Sequence, residues 1–256
     1  MDMKQIYICS DTVKGIFSAI YDAWRTSREP DACGIALKGM VEQELFCEYV
    51  QVEETEKKAL AVERLIRKNL GVLAYEDIYY AMMSEDMNKA DAILKTIMEA
   101  RHIPDSRRIM EHLSNPDVEK VFELSRTVEN EAHTFIEFVR FKELENGVLY
   151  AKIEPTNHIL TSIAPHFADR LPIENWMIQD ETHQEFVVHE AGKQWVVVSG
   201  EEISEDMASR FSEKEYEYER LWDAFFHTIA IESRKNPKCQ MTHLPLKYRK
   251  NLVEVV

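Results

Sequence analysis

The sequence predicts an α+β protein: an antiparallel meander sheet with flanking helices, preceded by a small α/β N-terminal unit. Three observations carry this. Residues 136–198 alternate apolar and polar positions with a period of two. Asn146-Gly147 stands between two such runs, the strongest short-range hairpin signal. Elsewhere, as in residues 13–24 and 54–70, apolar side chains recur at helical spacing.

Taken in order, Ile6–Cys9 reads as a strand, and Ser10-Asp11-Thr12 can cap the helix behind it. That helix carries Val13, Ile16, Phe17, Ile20, Tyr21 and Trp24. Cys33–Leu37 and Leu45–Val52 follow as strands, then a helix over 54–70, with Gly71 placed for a left-handed stop. Residues 75–133 read as wholly helical, with the clearest start at Asn115-Pro116-Asp117. Phe138–Leu144 and Val148–Glu154 flank the Asn-Gly turn. A helix over about 159–170 interrupts, and Trp176–Asp180, Glu185–His189 and Gln194–Val198 complete the strands. Short connections imply that all of them run antiparallel. Ser212-Glu213-Lys214-Glu215 fits a capping box for a last helix burying Tyr218, Leu221, Trp222, Phe225, Phe226 and Ile229. The joint between domains is expected at 71–84, giving 1–82 as the α/β unit and 83–256 as the helical and sheet domain with its tail.

Composition bounds the function. Of 256 residues 45% are hydrophobic and 30% charged, a globular balance. Only seven glycines occur, and no GxGxxG or GxxxxGK[ST] string, which removes the usual phosphate loops. A formal charge of -15 excludes a generic electrostatic grip on nucleic acid, so any polyanion site must be a local basic island. Cys9, Cys33, Cys47 and Cys239 form no CxxC pair and read as reduced thiols of a cytoplasmic protein. The first 25 residues hold no signal-peptide core, and no run of 18 apolar residues occurs, so no membrane segment is expected. No histidine spacing indicates a metal, and no motif calls for a cofactor.

Three stretches could carry chemistry. Glu131 and His133, with Arg140, lie at a helix-to-strand passage. His166 and Arg170 share one side of a helix, shortly before Asp180; a histidine and an arginine together suit proton transfer and anion binding. Residues 233–250 hold six lysines or arginines and no acid, whereas 201–219 hold eight acids and two bases. Such a tail can pair with those acids or hold phosphates through Arg234, Lys238, Lys247, Tyr248 and Arg249. Set against these are plain structural roles: a capping histidine, a terminal helical turn pairing with Asp180, and a solvated tail pinned by Pro237 and Pro245.

The strings EAHTFIEFVRFKEL (131–144), LYAKIEP (149–155), HFADRLPIENWMIQD (166–180) and NPKCQMTHLPLKYRKNLVEV (236–255) resemble a bacterial DNA-metabolism or DNA-repair family. Its members are encoded beside a radical-SAM protein, and in other bacteria the same domain is fused to a family-four uracil-DNA glycosylase. The resemblance covers the whole chain, with the domain of unknown function at about 83–253. One departure is Thr134, where the family usually has a basic residue, which tells against anion binding there. The resemblance implies a protein of DNA metabolism that binds nucleic acid or a nucleotide and acts with a radical-SAM partner. Arg140, Arg170 and the tail would then hold phosphates, and His133, His166, Glu131 and Asp180 would supply acid-base groups. A non-catalytic adaptor for the radical-SAM protein is the alternative, with those residues structural. A small-molecule hydrolase or transferase has no motif behind it.

Overall fold

The computed structural model describes residues 3–26, 32–39, 45–199, 210–229, 236–249 and 252. Helices and strands together make an α+β protein, as the sequence predicts. The chain divides into two compact units, Met1–Glu129 and Asn130–Val256. No described helix is long and apolar enough to cross a membrane.

In the first unit β1 (Lys4–Cys9) is the central strand, with β2 (Cys33–Leu37) and β3 (Cys47–Gln51) parallel to it on either side. Helices α1 (Val13–Thr26) and α2 (Glu56–Asn69) pack on one another, and α1 also lies on β1. Thr55 caps α2 by accepting a hydrogen bond from the Lys58 N–H, and Gly71 ends it with φ +93°. The stretch read as wholly helical holds only helices, divided into α3 (Val72–Met82), α4 (Lys89–Glu99), a 3-10 turn (Ser106–Glu111) and α5 (Pro116–Phe138). Short polar side chains make the breaks. The Ser84 hydroxyl accepts from the Asp86 N–H at 2.9 Å, and the Asp86 carboxylate from the Asn88 N–H at 2.8 Å. Such local bonds satisfy backbone donors outside a helix. Asn115 caps α5 as expected, its Oδ1 accepting from the Asp117 N–H at 2.9 Å. Helix α4 lies against β2, so the core of this unit runs from Tyr7 to Val121.

The second unit is built on a five-stranded sheet in sequential order: β4 (Lys142–Glu143), β5 (Leu149–Ile153), β6 (Trp176–Asp180), β7 (Glu185–His189) and β8 (Val196–Ser199). The β4–β5 hairpin turns at Asn146-Gly147, where Gly147 takes φ +80° and the Asn146 side chain accepts from the Val148 N–H. Its first strand is shorter than Phe138–Leu144. The buried positions Val128, Ala132 and Phe135 prolong the helical spacing, and α5 runs on to Phe138.

The meander needs a larger correction. β5 and β6 are parallel, from Leu149↔Trp176 to Ile153↔Asp180, while the other neighbours are antiparallel. Helix α6 (Leu160–Arg170) lies between them in sequence and supplies the crossover that a parallel pair requires. Strand alternation puts Ile153, Trp176, Ile178, Asp180, Glu185 and Val187 on one face. Phe167 of α6 meets Trp176 there, with ring centroids 6.4 Å apart, so α6 covers this face. The carboxyl ends of the parallel pair thus lie beside the start of α6, which is where the polar residues gather.

The last elements are α7 (Glu213–Ile229), α8 (Pro237–His243) and a 3-10 turn at Leu246–Tyr248. Ser212 caps α7 by accepting from the Glu215 N–H at 3.2 Å. The Glu215 carboxylate does not close the capping box; it accepts from the Glu143 N–H at 2.9 Å and ties α7 to β4. The apolar side expected to be buried is not: Tyr218, Leu221, Trp222 and Phe225 are 63%, 55%, 45% and 54% exposed. The side chains of Phe226 and Ile229 lie outside the description.

Candidate functional site

Glu131 is the first residue to place, because it holds the others. It is buried on α5 and accepts hydrogen bonds from the backbone N–H groups of Thr156 (3.0 Å) and Asn157 (2.9 Å), and from the Asn157 amide (2.6 Å). Lys247 Nζ closes the arrangement at 2.7 Å. Burial by itself would raise the Glu131 carboxyl, but Lys247 and the three N–H donors hold it below the ordinary carboxylate range. Glu131 therefore clamps the loop between β5 and α6 to the C-terminal segment. That role differs from acid-base work.

That loop carries His158, and the other partners come from β6, its turn and β7. Asp180 ends β6 fully buried, accepting from the His183 N–H at 3.0 Å and lying 2.6 Å from His183 Nδ1. His158 Nδ1 lies 3.7 Å from Glu185 Oε2, and Ser199 Oγ donates to Glu185 Oε1 at 3.0 Å. The His158 contact, opposed by burial and supported by Ser199, holds the Glu185 carboxyl below its ordinary range. The two imidazoles lie against each other, with centroids 3.9 Å apart and planes 32° from parallel. Two histidines and two carboxylates, from the loop before α6, the end of β6, the turn after it and β7, thus meet beyond the ends of β5 and β6.

A second feature opens nearby. Phe135, Phe138, Val139, Arg140, Lys152, Ile153, Glu154, Lys247 and Tyr248 line a shallow, open groove with a cavity volume of only about 20 Å³. Tyr248 packs edge-on against Phe135, centroids 5.0 Å apart, and tilted against Phe138 at 6.3 Å. Arg140 donates to the Glu137 carbonyl at 3.0 Å, and Lys152 pairs with Glu181 at 2.5 Å. The walls carry Arg140, Lys152 and Lys247, of which Lys247 pairs with Glu131 and Lys152 with Glu181, while Arg140 also has its own partners.

The residues singled out in the sequence separate into groups. Glu131, Arg140, Lys247 and Tyr248 come together around the groove. Asp180 joins the histidine cluster, though not with the histidines expected. His133 is on the exposed side of α5, 3.3 Å from Glu137. His166 is half-buried against Phe167, centroids 5.2 Å apart, with Nε2 buried and without a hydrogen-bond partner among the described residues. Arg170 and Lys238 are exposed. Arg249 Nε donates to the Leu244 carbonyl at 2.9 Å, and Arg234 lies outside the described residues. Of the tail's described residues, Pro237–His243 are helical where an extended or short-turn segment is expected from the sequence, Tyr248 is turned inward and Leu252 is buried, but Leu246 is exposed. Lys247 pairs with Glu131 instead of the acids of 201–219; of those residues, 201–209 lie outside the description.

His158, His183 and Glu185 were missed by sequence reasoning. Their spacing fits no ligand pattern because the crossover brings them together. Reading strand–helix–strand as a parallel unit would have directed attention to the carboxyl ends of the strands.

The molecule is therefore an α+β protein whose second unit gathers polar side chains at the ends of a parallel strand pair and beside an aromatic groove. The family model described as Domain of unknown function (DUF4130) matches residues 87–254, and the chain belongs to that family. No curated protein matches the chain.

Proposed function

We propose that the protein acts in DNA metabolism by binding single-stranded nucleic acid or a nucleotide, alongside a radical-SAM partner. The observation that carries this is the groove, where Phe138 and Tyr248 stand beside Arg140 and Lys152. Aromatic faces for bases and cations for the backbone are the parts that single-strand sites combine. The process and the partner rest on the family resemblance of the four strings quoted above. Glu181 holds Lys152, so an incoming phosphate replaces that carboxylate at modest cost, since both side chains are more than a third exposed.

The test is fluorescence anisotropy with a labelled oligothymidylate of about 20 nucleotides and with duplex DNA at low salt. Binding should prefer the single strand. Arg140→Ala with Lys152→Ala should weaken it on the order of tenfold and flatten the salt dependence by about 0.7 per lost phosphate contact. Failure of both DNAs to bind, alone and with the partner, overturns the proposal.

The exposed Tyr218, Leu221, Trp222 and Phe225 favour a second reading, an adaptor that docks the radical-SAM protein on α7. Trp222→Ser with Phe225→Ser should leave the melting temperature nearly unchanged and abolish co-purification of the partner. Retained co-purification removes this second reading.

A further inference from the structure

We propose that His158 and His183 bind a divalent first-row transition ion of the zinc class, with Asp180 and Glu185 as the carboxylates that orient them. Each ring is directed at a carboxylate through Nδ1: His183 at Asp180 Oδ2 (2.6 Å), His158 at Glu185 Oε2 (3.7 Å). A histidine whose Nδ1–H points at a carboxylate presents the Nε2 lone pair, which is how metal-bound imidazoles are usually held. The two rings lie against each other, with centroids 3.9 Å apart and planes 32° from parallel. One ring nitrogen of each lies within 4.8 Å of the other. A tetrahedral ion about 2.1 Å from each nitrogen needs them roughly 3.4 Å apart. A small rotation of His158, the more exposed of the two, supplies the difference.

The supports of the pair are built in. Asp180 is fully buried, and it fixes both the backbone and the ring of His183. Glu185 is itself held by Ser199. The loop bearing His158 is pinned through Thr156 and Asn157 by the buried Glu131. A turn staple alone accounts for Asp180 and His183, but gives no reason for a second imidazole against the first with its own carboxylate. Nitrogen donors select zinc, nickel or copper over magnesium or calcium. Solvent or a bound ligand completes the coordination. The proposal is independent of DNA binding, since the ion alone is the probe.

The experiment uses the full chain, stripped with a chelator and titrated with Zn²⁺ against a chromophoric competitor. One tight equivalent is expected, accompanied by a rise in melting temperature that Mg²⁺ and Ca²⁺ do not produce. His158→Gln, on the more exposed ring, keeps the fold and should weaken binding at least tenfold. Asp180→Asn should lower affinity by about 10–100-fold while both imidazoles remain. Substitution of Ni²⁺ and Cu²⁺ should follow the order nickel below copper, copper above zinc. Absence of a tight equivalent in the wild-type protein overturns the proposal, as does unchanged affinity in His158→Gln.

Discussion

Replacing Glu131 by alanine is expected to destabilise the second unit by about 3–5 kcal/mol, the usual cost of breaking a buried ion pair from one side. The carboxylate accepts from two backbone N–H groups, the Asn157 amide and Lys247, and its removal leaves the two N–H groups and the amide without an acceptor. A fall in melting temperature on the order of 10 °C should follow. Lys247→Ala should cost less, since the three N–H donors remain and Lys247 is the more exposed partner. The pH dependence has a definite sign. Glu131 titrates below its unfolded value, so its contribution is complete above the ordinary carboxylate range and fades as pH falls through the lower folded value. Lys247 is raised by Glu131 and Tyr248 in spite of burial, so its contribution is present below the ordinary lysine value and fades as pH rises through the folded one. Thermal melts from neutral pH down to about pH 3 should show a decline in the wild type that is shallower in Glu131→Ala.

The second large effect lies in the first unit and is asymmetric. Lys89 is fully buried, and Asp11 meets its ammonium at 2.7 Å; the Ser84 carbonyl accepts from it as well. Asp11 is one-third exposed, so water can solvate it when the lysine is gone. Asp11→Ala strands a buried cation and should cost about 3–5 kcal/mol, whereas Lys89→Met keeps the apolar stem and should cost clearly less. The double variant should recover most of the loss. Chemical denaturation of the three variants measures this; equal costs for both single changes contradict it.

How much was legible in the sequence follows from the range of each signal. Cys33–Leu37, Trp176–Asp180, the Asn146-Gly147 turn and the Asn115 cap are set by residues within a few positions of one another, and each is found where expected. The parallel pairing of β5 and β6 is not local: a strand carries the same alternation whichever way its neighbour runs. That one ambiguity hid the histidine cluster, because His158 and His183 meet only when the two strands end side by side. Glu131 was visible as a residue and not as a clamp, since its partners lie 25 or more positions away. For α7 the helical spacing was right and the burial wrong; amphipathic spacing shows that a face is apolar, not that the same chain covers it.

The groove is tested most directly by photo-cross-linking to an oligonucleotide carrying 5-iodouracil, with the attached residue located by peptide mass spectrometry. Stacking of bases on the groove aromatics predicts attachment to Tyr248 or Phe138, lost when Arg140 and Lys152 are both changed to alanine. Attachment confined to α7 or to the first unit, with the groove residues unlabelled, would contradict it.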